Sequence, residues 1–226
     1  LRKIALEYDE FLNIEHRMGG LLPSWDNFDR GGITQPSEAA KHWEEVCAFN
    51  EMPIDADIWS EDPLSSSYPP SIAFKAAQIQ STEKAVLFLR RIKEMVFLEK
   101  KNIIKWEFLE DSAFDVGLDS ARLLKDIGGK AKVLFTKDLE LAKKLNVTVF
   151  PTLFFANKNG GQHTMEGQKT YEEFEQVIHT LLPDVEKVKI NNDPKFLFSK
   201  YNRMTDFEFS FLCNISREEA NETLVQ

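Results

Sequence analysis

The stretch KLNVTVFPTLFFANKNGGQHTMEG, residues 144–167, decides the fold of this chain. It places Pro151 inside a run of β-forming residues, between Val149 and Leu153. Proline donates no backbone hydrogen bond, so a sheet accepts it at an edge, at a bulge or as the first residue of a strand. The sequence after it predicts one strand to about Ala156, a hairpin turn at NKNGG and a second short strand over QHTMEG.

A predicted helix lies on either side of this hairpin in the sequence. AKVLFTKDLELAKKLN, which precedes it, has leucines in helical register. Thr170 and Glu173 have the spacing of a capping box and open an amphipathic helix that ends before Pro183. Helix, strand, hairpin and helix resemble the second half of a thioredoxin-type fold. In that fold a cis proline lies where an extended peptide pairs with the backbone; the alternative is a proline that merely starts an edge strand.

The chain before this region is predicted to be mostly helical. An opening helix has one apolar face, formed by Leu1, Ile4, Ala5, Tyr8 and Leu12. LNIEHRMGGLL, residues 12–22, alternates apolar and polar residues and predicts a short strand. A long helix follows Thr82, its expected cap, and has an apolar face formed by Ala85, Phe88, Leu89, Ile92 and Val96. Shorter helices are expected over 105–115 and 120–127, the second capped by Asp119, and Ser216 with Glu219 predicts a capped last helix.

The composition excludes several classes of protein. With 226 residues, 42% of them hydrophobic, and 18 Phe, the chain can bury a large core. Its net charge of -9 argues against a nucleic-acid or anionic-membrane partner, because phosphate binding depends on clustered Lys and Arg. No apolar run reaches the roughly 18 residues of a membrane span. We therefore expect a soluble protein with neither kind of partner.

The cysteines and histidines predict no disulfide framework, no metal site and no cofactor. Cys47 and Cys213 lie far apart in the sequence, and the four histidines lack the spacing of metal motifs. Both cysteines lie among apolar residues, which favours buried structural thiols. A reducing, cytoplasmic location fits best, and no catalytic residue is assigned within the chain.

Two charged stretches have a functional and an ordinary interpretation. One is a run of cations that either docks an acidic partner or is a solvated helical face: Arg90, Arg91, Lys93, Lys100, Lys101 and Lys105. The other is the adjacent pair Glu61 and Asp62 in a loop rich in proline and serine, which suggests acid/base chemistry or plain solvation.

Several stretches resemble the DsbA family of thioredoxin-fold proteins, in which a helical domain is inserted between the two halves of the thioredoxin motif. RMGGLLPSW resembles the end of the second strand in the FrnE-like branch of disulfide isomerases, and DLELAKKLNVTVFPTLFF resembles its cis-proline loop. DIWSEDPLSSSYPPSIAFKAAQIQ and FLRRIKEMVFLEKKNI resemble its helical insertion. The same stretches are similar to Clp-protease adapters of the YjbH (SpxH) kind. The resemblance covers most of residues 1–182 and, more weakly, the aromatic C-terminal segment.

The resemblance implies an α/β, thioredoxin-like fold with a large helical insertion. It divides the chain into a first thioredoxin part over 1–34, an insertion over 35–129, a second thioredoxin part with the cis-proline loop over 130–183, and a linker with a C-terminal helical segment over 184–226. The family's Cys-X-X-Cys lies between the first strand and the first helix. We therefore expect the first strand to be missing from this chain and the redox motif to lie upstream of Leu1.

The resemblance also implies a function. It predicts a DsbA-like thiol-disulfide oxidoreductase or isomerase that acts on protein or peptide thiols, with Val149, Phe150 and Pro151 shaping the peptide groove. The alternative is a non-catalytic adapter that presents a regulator to a Clp-type protease. A third option is the glutathione-using isomerase branch of this fold. Phe150 either contacts the peptide or packs in the sheet, and enzymatic activity stays open because the chain itself has no redox motif.

Overall fold

The computed structural model describes residues 1–225. Its elements in chain order are α1 (Arg2–Glu7), α2 (Pro36–Asn50), α3 (Ile58–Glu61), α4 (Tyr68–Gln80), α5 (Thr82–Glu99), α6 (Trp106–Asp115), α7 (Ser120–Ile127), α8 (Lys130–Lys144), β1 (Thr152–Ala156), β2 (Gln162–Glu166), α9 (Tyr171–Leu181), α10 (Pro194–Lys200), α11 (Asp206–Cys213) and α12 (Arg217–Val225). The chain divides into two compact units. We call His16–Val147 the helical unit, and Leu1–Glu15 together with Thr148–Gln226 the hairpin unit.

The core of the helical unit is centred on α4 and α5. The predicted apolar face of α5 is confirmed, since Ala85, Phe88, Ile92 and Val96 are buried and Leu89 is partly buried against the same core. They pack against small and aromatic residues of α4, Ala73, Phe74, Ala76 and Ala77. Burying a large apolar side chain stabilises a fold by about 1.5–3 kcal/mol, so this face is enough to fix α5 in place.

The helix boundaries of this unit follow local capping signals. Asp119 caps α7 as predicted, because its carboxylate accepts the N–H of Arg122 at 2.9 Å. The predicted cap of α5 is wrong by one residue. Ser81, not Thr82, has the extended backbone of an N-cap, and its hydroxyl accepts the N–H of Lys84 at 3.2 Å.

The strand predicted over residues 12–22 is absent, so that prediction was wrong. The backbone there bonds to side chains instead of a neighbouring strand: the N–H of Met18 donates to Asp138 Oδ2 at 3.1 Å, and the N–H of Leu22 donates to Ser67 Oγ at 2.9 Å. A backbone whose polar groups already have partners needs no ladder. The alternating pattern therefore belongs to an irregular segment.

Asp138 holds this segment through a buried ionic cluster on α8. Its carboxylate lies 2.9 Å from Lys75 Nζ, and these two side chains are 1% and 5% exposed. Arg17 Nη1 donates to the other carboxylate oxygen at 3.1 Å. With the N–H of Met18, the buried charge has three donors, which is how a protein keeps a carboxylate out of water.

The hairpin unit contains the two strands of the described residues. β1 and β2 pair antiparallel, with Thr152 opposite Glu166 and Ala156 opposite Gln162, so the predicted hairpin is confirmed. The capping box at Thr170 and Glu173 is also confirmed at the start of α9. A small core joins α9 to α1 through Ile4, Tyr8 and Ile178.

The three C-terminal helices have a core of their own in this unit, formed by Leu197, Phe209, Leu212, Cys213 and Ala220. Several polar contacts connect them to α1, among them the contact of Lys3 Nζ with the carbonyl of Phe211 at 3.3 Å. Arg2 Nη1 lies 3.2 Å from Glu208 Oε1, and the hydroxyl of Tyr201 donates to the carbonyl of Arg2 at 3.3 Å. The predicted cap of the last helix is confirmed, since the N–H of Glu219 donates to Ser216 Oγ at 3.1 Å.

Two further predictions concern burial and organisation. Cys213 is buried as expected, whereas Cys47 is only half-buried, so the prediction for Cys47 was too strong. Within residues 1–225, none of the helices combines the length and apolar character that crossing a membrane requires. The four-part division of the sequence stays a prediction.

Candidate functional site

Pro151 lies directly before β1, at the end of the hairpin ladder. Its carbonyl accepts the N–H of Gly167 at 2.8 Å, and β1 then continues with Thr152 opposite Glu166. Proline has no N–H with which to return that hydrogen bond, so the ladder stops at this pair. Gly167 has φ 73°, a backbone conformation that favours glycine, and lets the chain turn away from β2 here.

The three predicted site residues form an exposed loop before the strand. The Phe150–Pro151 peptide bond is cis, as predicted. Val149 is 39% exposed, Pro151 is exposed and Phe150 is half-buried. The carbonyl of Val149 accepts the hydroxyl of Thr152 at 2.6 Å, whereas its N–H has no hydrogen-bond partner among residues 1–225. An exposed apolar side chain beside an unused backbone donor is what binding by strand addition requires.

The hairpin has one covered face and one open face. On the covered face Phe155 meets Phe174 of α9 edge to face, with ring centroids 6.2 Å apart, and Met165 is buried. Side chains alternate along a strand, so Phe154 points to the other face, where it is 48% exposed. The site loop therefore leads into a strand that presents an exposed aromatic ring.

One edge of the hairpin is unpaired. Hydrogen-bonded pairs alternate along an antiparallel ladder, and Pro151 with Gly167 is such a pair. The N–H and C=O groups of Thr152, Phe154 and Ala156 consequently point away from β2. The sheet has only these two strands in the described part of the chain, so nothing there pairs with this edge of β1.

A polar cluster that the sequence did not predict lies between α1 and α9. The hydroxyl of Tyr171 lies 2.5 Å from Glu7 Oε2 and 2.7 Å from Glu175 Oε1. Lys187 Nζ donates to the same Glu175 oxygen at 2.7 Å, and the hydroxyl of Tyr8 donates to it at 3.1 Å. The i, i+4 spacing of Tyr171 and Glu175 was the only local signal, because Glu7 is 164 positions away from Tyr171.

The electrostatics of this cluster indicate a structural clamp. Burial, followed by the hydrogen bond to Glu175, raises the pKa of Tyr8 to about 12, and burial with two carboxylate partners raises the pKa of Tyr171 far above its usual range. Burial alone would raise the pKa of Glu175, but hydrogen bonds from Lys187 and the two tyrosines hold it below its usual value. Neutral phenols that share an ionised carboxylate join α1 to α9 and to the segment after α9.

Two lysines of the cation run form ion pairs with the acidic pair of the sequence. Lys105 Nζ lies 2.6 Å from Asp62 Oδ2, and Lys100 Nζ lies 3.1 Å from Glu61 Oε1. Neither acid therefore has the geometry of an isolated catalytic group. The ordinary interpretation of both stretches is the better one for these residues.

The thiols of the described residues do not form a redox centre. Both cysteines are free. Burial raises the pKa of the Cys213 thiol, which disfavours the thiolate that attacks a disulfide.

Fold and loop together define a thioredoxin-type protein, and the comparison with protein families agrees. A family model described as thioredoxin matches residues 1–176. The chain is 30% identical over 231 residues to the ClpXP adapter protein SpxH of Halalkalibacterium halodurans, an alignment that covers 99% of this chain and 75% of that protein. It is 31% identical to SpxH of Bacillus subtilis, again with 99% and 75% covered. The chain therefore belongs to the thioredoxin family, in the group that contains these SpxH proteins.

Two solved structures are similar in fold. A protein assigned as a disulfide isomerase, from Nitrosomonas europaea, matches with a TM-score of 0.68 at 17% identity, covering 80% of this chain and 87% of its own. The cytosolic disulfide reductase DsbM from Pseudomonas aeruginosa matches with a TM-score of 0.58 at 18% identity, covering 75% and 83%. At these identities the likeness shows the DsbA-like fold, with its helical insertion, and no more.

Proposed function

We propose that this chain is a non-catalytic adapter that presents a regulatory protein to a Clp-type protease in the cytoplasm. The observation that carries the proposal is the similarity to two ClpXP adapter proteins over 99% of the chain. That similarity extends past residue 176, where the thioredoxin model ends, into α10–α12. The helices that distinguish the chain from a plain thioredoxin unit are thus shared with adapters.

The proposed binding site for the regulator is the loop of Val149, Phe150 and Pro151. The unused N–H of Val149 would donate to a carbonyl of an extended segment, and the exposed apolar surface of Val149 and Pro151 would contact its side chains. Main-chain hydrogen bonds give such strand addition its affinity, and the flanking side chains give it specificity. This mode needs no thiol, which suits a chain whose buried cysteine has a raised pKa.

A reconstituted degradation assay tests the proposal. ClpXP of Bacillus subtilis would be mixed with the regulator that its own SpxH delivers, and SpxH would be replaced by this protein. We expect faster degradation of the regulator, a return toward the adapter-free rate with Val149→Asp, and no loss with Cys47→Ser/Cys213→Ser. Val86→Asp is the matched control, because Val86 has a similar exposure, 38%, on α5. Absence of any acceleration, or an equal loss in both valine variants, contradicts the proposal.

A thiol-disulfide oxidoreductase or isomerase acting on protein or peptide thiols is the second candidate. It is supported by the cis-proline loop and the DsbA-like fold, and it depends on the Cys-X-X-Cys predicted upstream of Leu1. Mass spectrometry of the natural full-length protein would look for a mixed disulfide with a trapped peptide. A trapped peptide that disappears when the upstream cysteines are replaced supports this candidate, and an upstream sequence without the motif removes it.

A further inference from the structure

The outer face of α8 carries a stripe of lysines with apolar residues between them. Lys130, Lys137 and Lys144 recur every seven residues, and Val133 and Leu141 fall between them. Seven residues are close to two helical turns, so the five side chains share one face along about 21 Å of helix. We call these five residues the α8 stripe.

The lysines of the α8 stripe contact no carboxylate within ion-pair distance anywhere in residues 1–225. Glu140 precedes Lys144 by four residues, a spacing that suits a pair, yet no ion pair forms. The chain has 37 acidic and 28 basic residues, so it contains enough acids to pair with these lysines. The stripe is a local positive surface on an acidic protein.

The apolar members of the stripe are exposed. Val133 is 58% exposed and Leu141 is 37% exposed, on the face opposite the buried residues Ala131, Phe135 and Asp138. Valine is a poorer helix former than alanine, so helix propensity does not explain why Val133 lies on this exposed face. Apolar side chains flanked by unpaired cations complement a helix whose own apolar face is flanked by acids.

We propose that the α8 stripe docks an acidic amphipathic helix of a partner protein. The net charge of -9 opposes nucleic acid, whose phosphates would be repelled by the rest of the molecule. A membrane surface would need a broader apolar face with aromatic anchors, and the stripe has two aliphatic residues. This surface lies outside the proline loop and is independent of the proposed adapter and redox activities.

A peptide-binding experiment on the full chain tests the stripe directly. The probe is a fluorescein-labelled 21-residue synthetic helix with leucine at the a and d positions of each heptad and glutamate at e and g. Its matched control has glutamine in place of glutamate. We expect the glutamate peptide to bind, as followed by fluorescence anisotropy, and the affinity to fall about tenfold or more in Lys130→Glu/Lys137→Glu/Lys144→Glu.

A second triple variant distinguishes a specific effect of the α8 stripe from an effect of the net charge. Lys125→Glu/Lys132→Glu/Lys143→Glu changes the net charge by the same amount at exposed lysines off the stripe that have no ion-pair partner within residues 1–225, and we expect it to keep the affinity within about twofold. Val133→Ser/Leu141→Ser should weaken binding without changing charge. Circular dichroism checks that each variant is folded, and Lys137→Glu alone replaces the triple variant if it is not.

Three results would overturn the proposal. They are no binding of the glutamate peptide, an equal loss in the two lysine triples, and stripe-dependent binding of duplex DNA or phosphatidylserine vesicles that exceeds binding of the peptide. Because ClpXP takes no part in this assay, its outcome does not depend on the result of the degradation assay.

Discussion

The α5 region and α8 both carry clusters of cations, but they use them in opposite ways. On α5, Arg90 pairs with Glu94 at 2.6 Å and Arg91 pairs with Asp115 at 2.7 Å. On the α8 stripe, none of the three lysines has a carboxylate partner in the described part of the chain. Cations of the first kind stabilise α5 itself or join it to α6, and cations of the second kind are available to other molecules. The two kinds look alike in sequence because most of the partners are distant residues.

The largest effect is expected on the inner face of α8. Asp138→Ala leaves Lys75 buried without its counter-charge and removes the acceptor of the Met18 N–H, so we expect a loss of about 3–5 kcal/mol in the free energy of unfolding. Urea denaturation measures it. The double variant Asp138→Ala/Lys75→Met should recover much of the loss, because no buried charge remains. A loss below about 1 kcal/mol would show that water reaches this pair.

Arg91→Leu tests the paired cations of α5. Arg91 is buried and bonds to both Glu99 and Asp115, so its removal takes a donor from each carboxylate, although Glu99 keeps its pair with Lys101 at 2.8 Å. We expect a loss of about 1.5–3 kcal/mol, the range of hydrogen bonds to charged groups. Arg122→Leu is the matched control on α7, where Arg122 is 54% exposed and lies 3.7 Å from Asp126, and it should cost less than about 0.5 kcal/mol. Equal losses would show that a buried cation contributes no more to the free energy of unfolding than an exposed one.

The same network should appear in the pH dependence of stability. The hydrogen bond from Arg91 holds the pKa of Glu99 at about 2 in the folded chain, against an ordinary value of 4.5. A depressed carboxyl pKa stabilises the fold above pH 4.5, and this contribution is lost as the pH falls from 4.5 toward 2. We expect roughly 1–2 kcal/mol from it after solvent screening. Urea denaturation between pH 7 and pH 2.5 should show a weaker pH dependence for Glu99→Gln than for the unchanged chain, and identical curves would contradict the assignment.

The features predicted correctly from the sequence are those with local signals. The turn residues NKNGG and the spacing of Thr170 with Glu173 depend on neighbours within five positions, and both predicted elements are present. The strand over 12–22 failed because its backbone partners, Asp138 among them, are supplied by residues 45 to 120 positions away. Alternation alone could not reveal them.

The site was predictable only in part for the same reason. Pro151 in a β run predicted the loop, and the thioredoxin-like order of the elements around it predicted the cis bond. The contact of Tyr171 with Glu7 and the ion pair of Lys105 with Asp62 join residues that are far apart in sequence. Most of the ion pairs therefore become visible only in the folded chain.

A smaller effect is expected at the exposed end of the α5 region. Lys105→Gln removes the 2.6 Å pair with Asp62, whose partners are 49% and 42% exposed. The pair also lowers the pKa of Asp62, chiefly through the hydrogen bond from Lys105. Solvent screens such pairs, so we expect Lys105→Gln to lower the stability measured by urea denaturation by much less than Arg91→Leu does, and we expect no measurable change for the control Lys125→Gln. A loss as large as that of Arg91→Leu would show that burial does not determine how much these ion pairs contribute to the free energy of unfolding.

The smallest effect is expected on the α8 stripe itself. Lys130→Gln/Lys137→Gln/Lys144→Gln removes three charges that no acid in residues 1–225 balances, so the free energy of unfolding should change by less than about 0.5 kcal/mol. The lysines are about 10 Å apart along the helix, close to the screening length at 0.1 M salt, so relief of their mutual repulsion is also small. Urea denaturation at low and high salt measures both. A loss above about 1 kcal/mol would show that these lysines stabilise the fold as the α5 cations do, and would remove the reason to regard them as a docking surface.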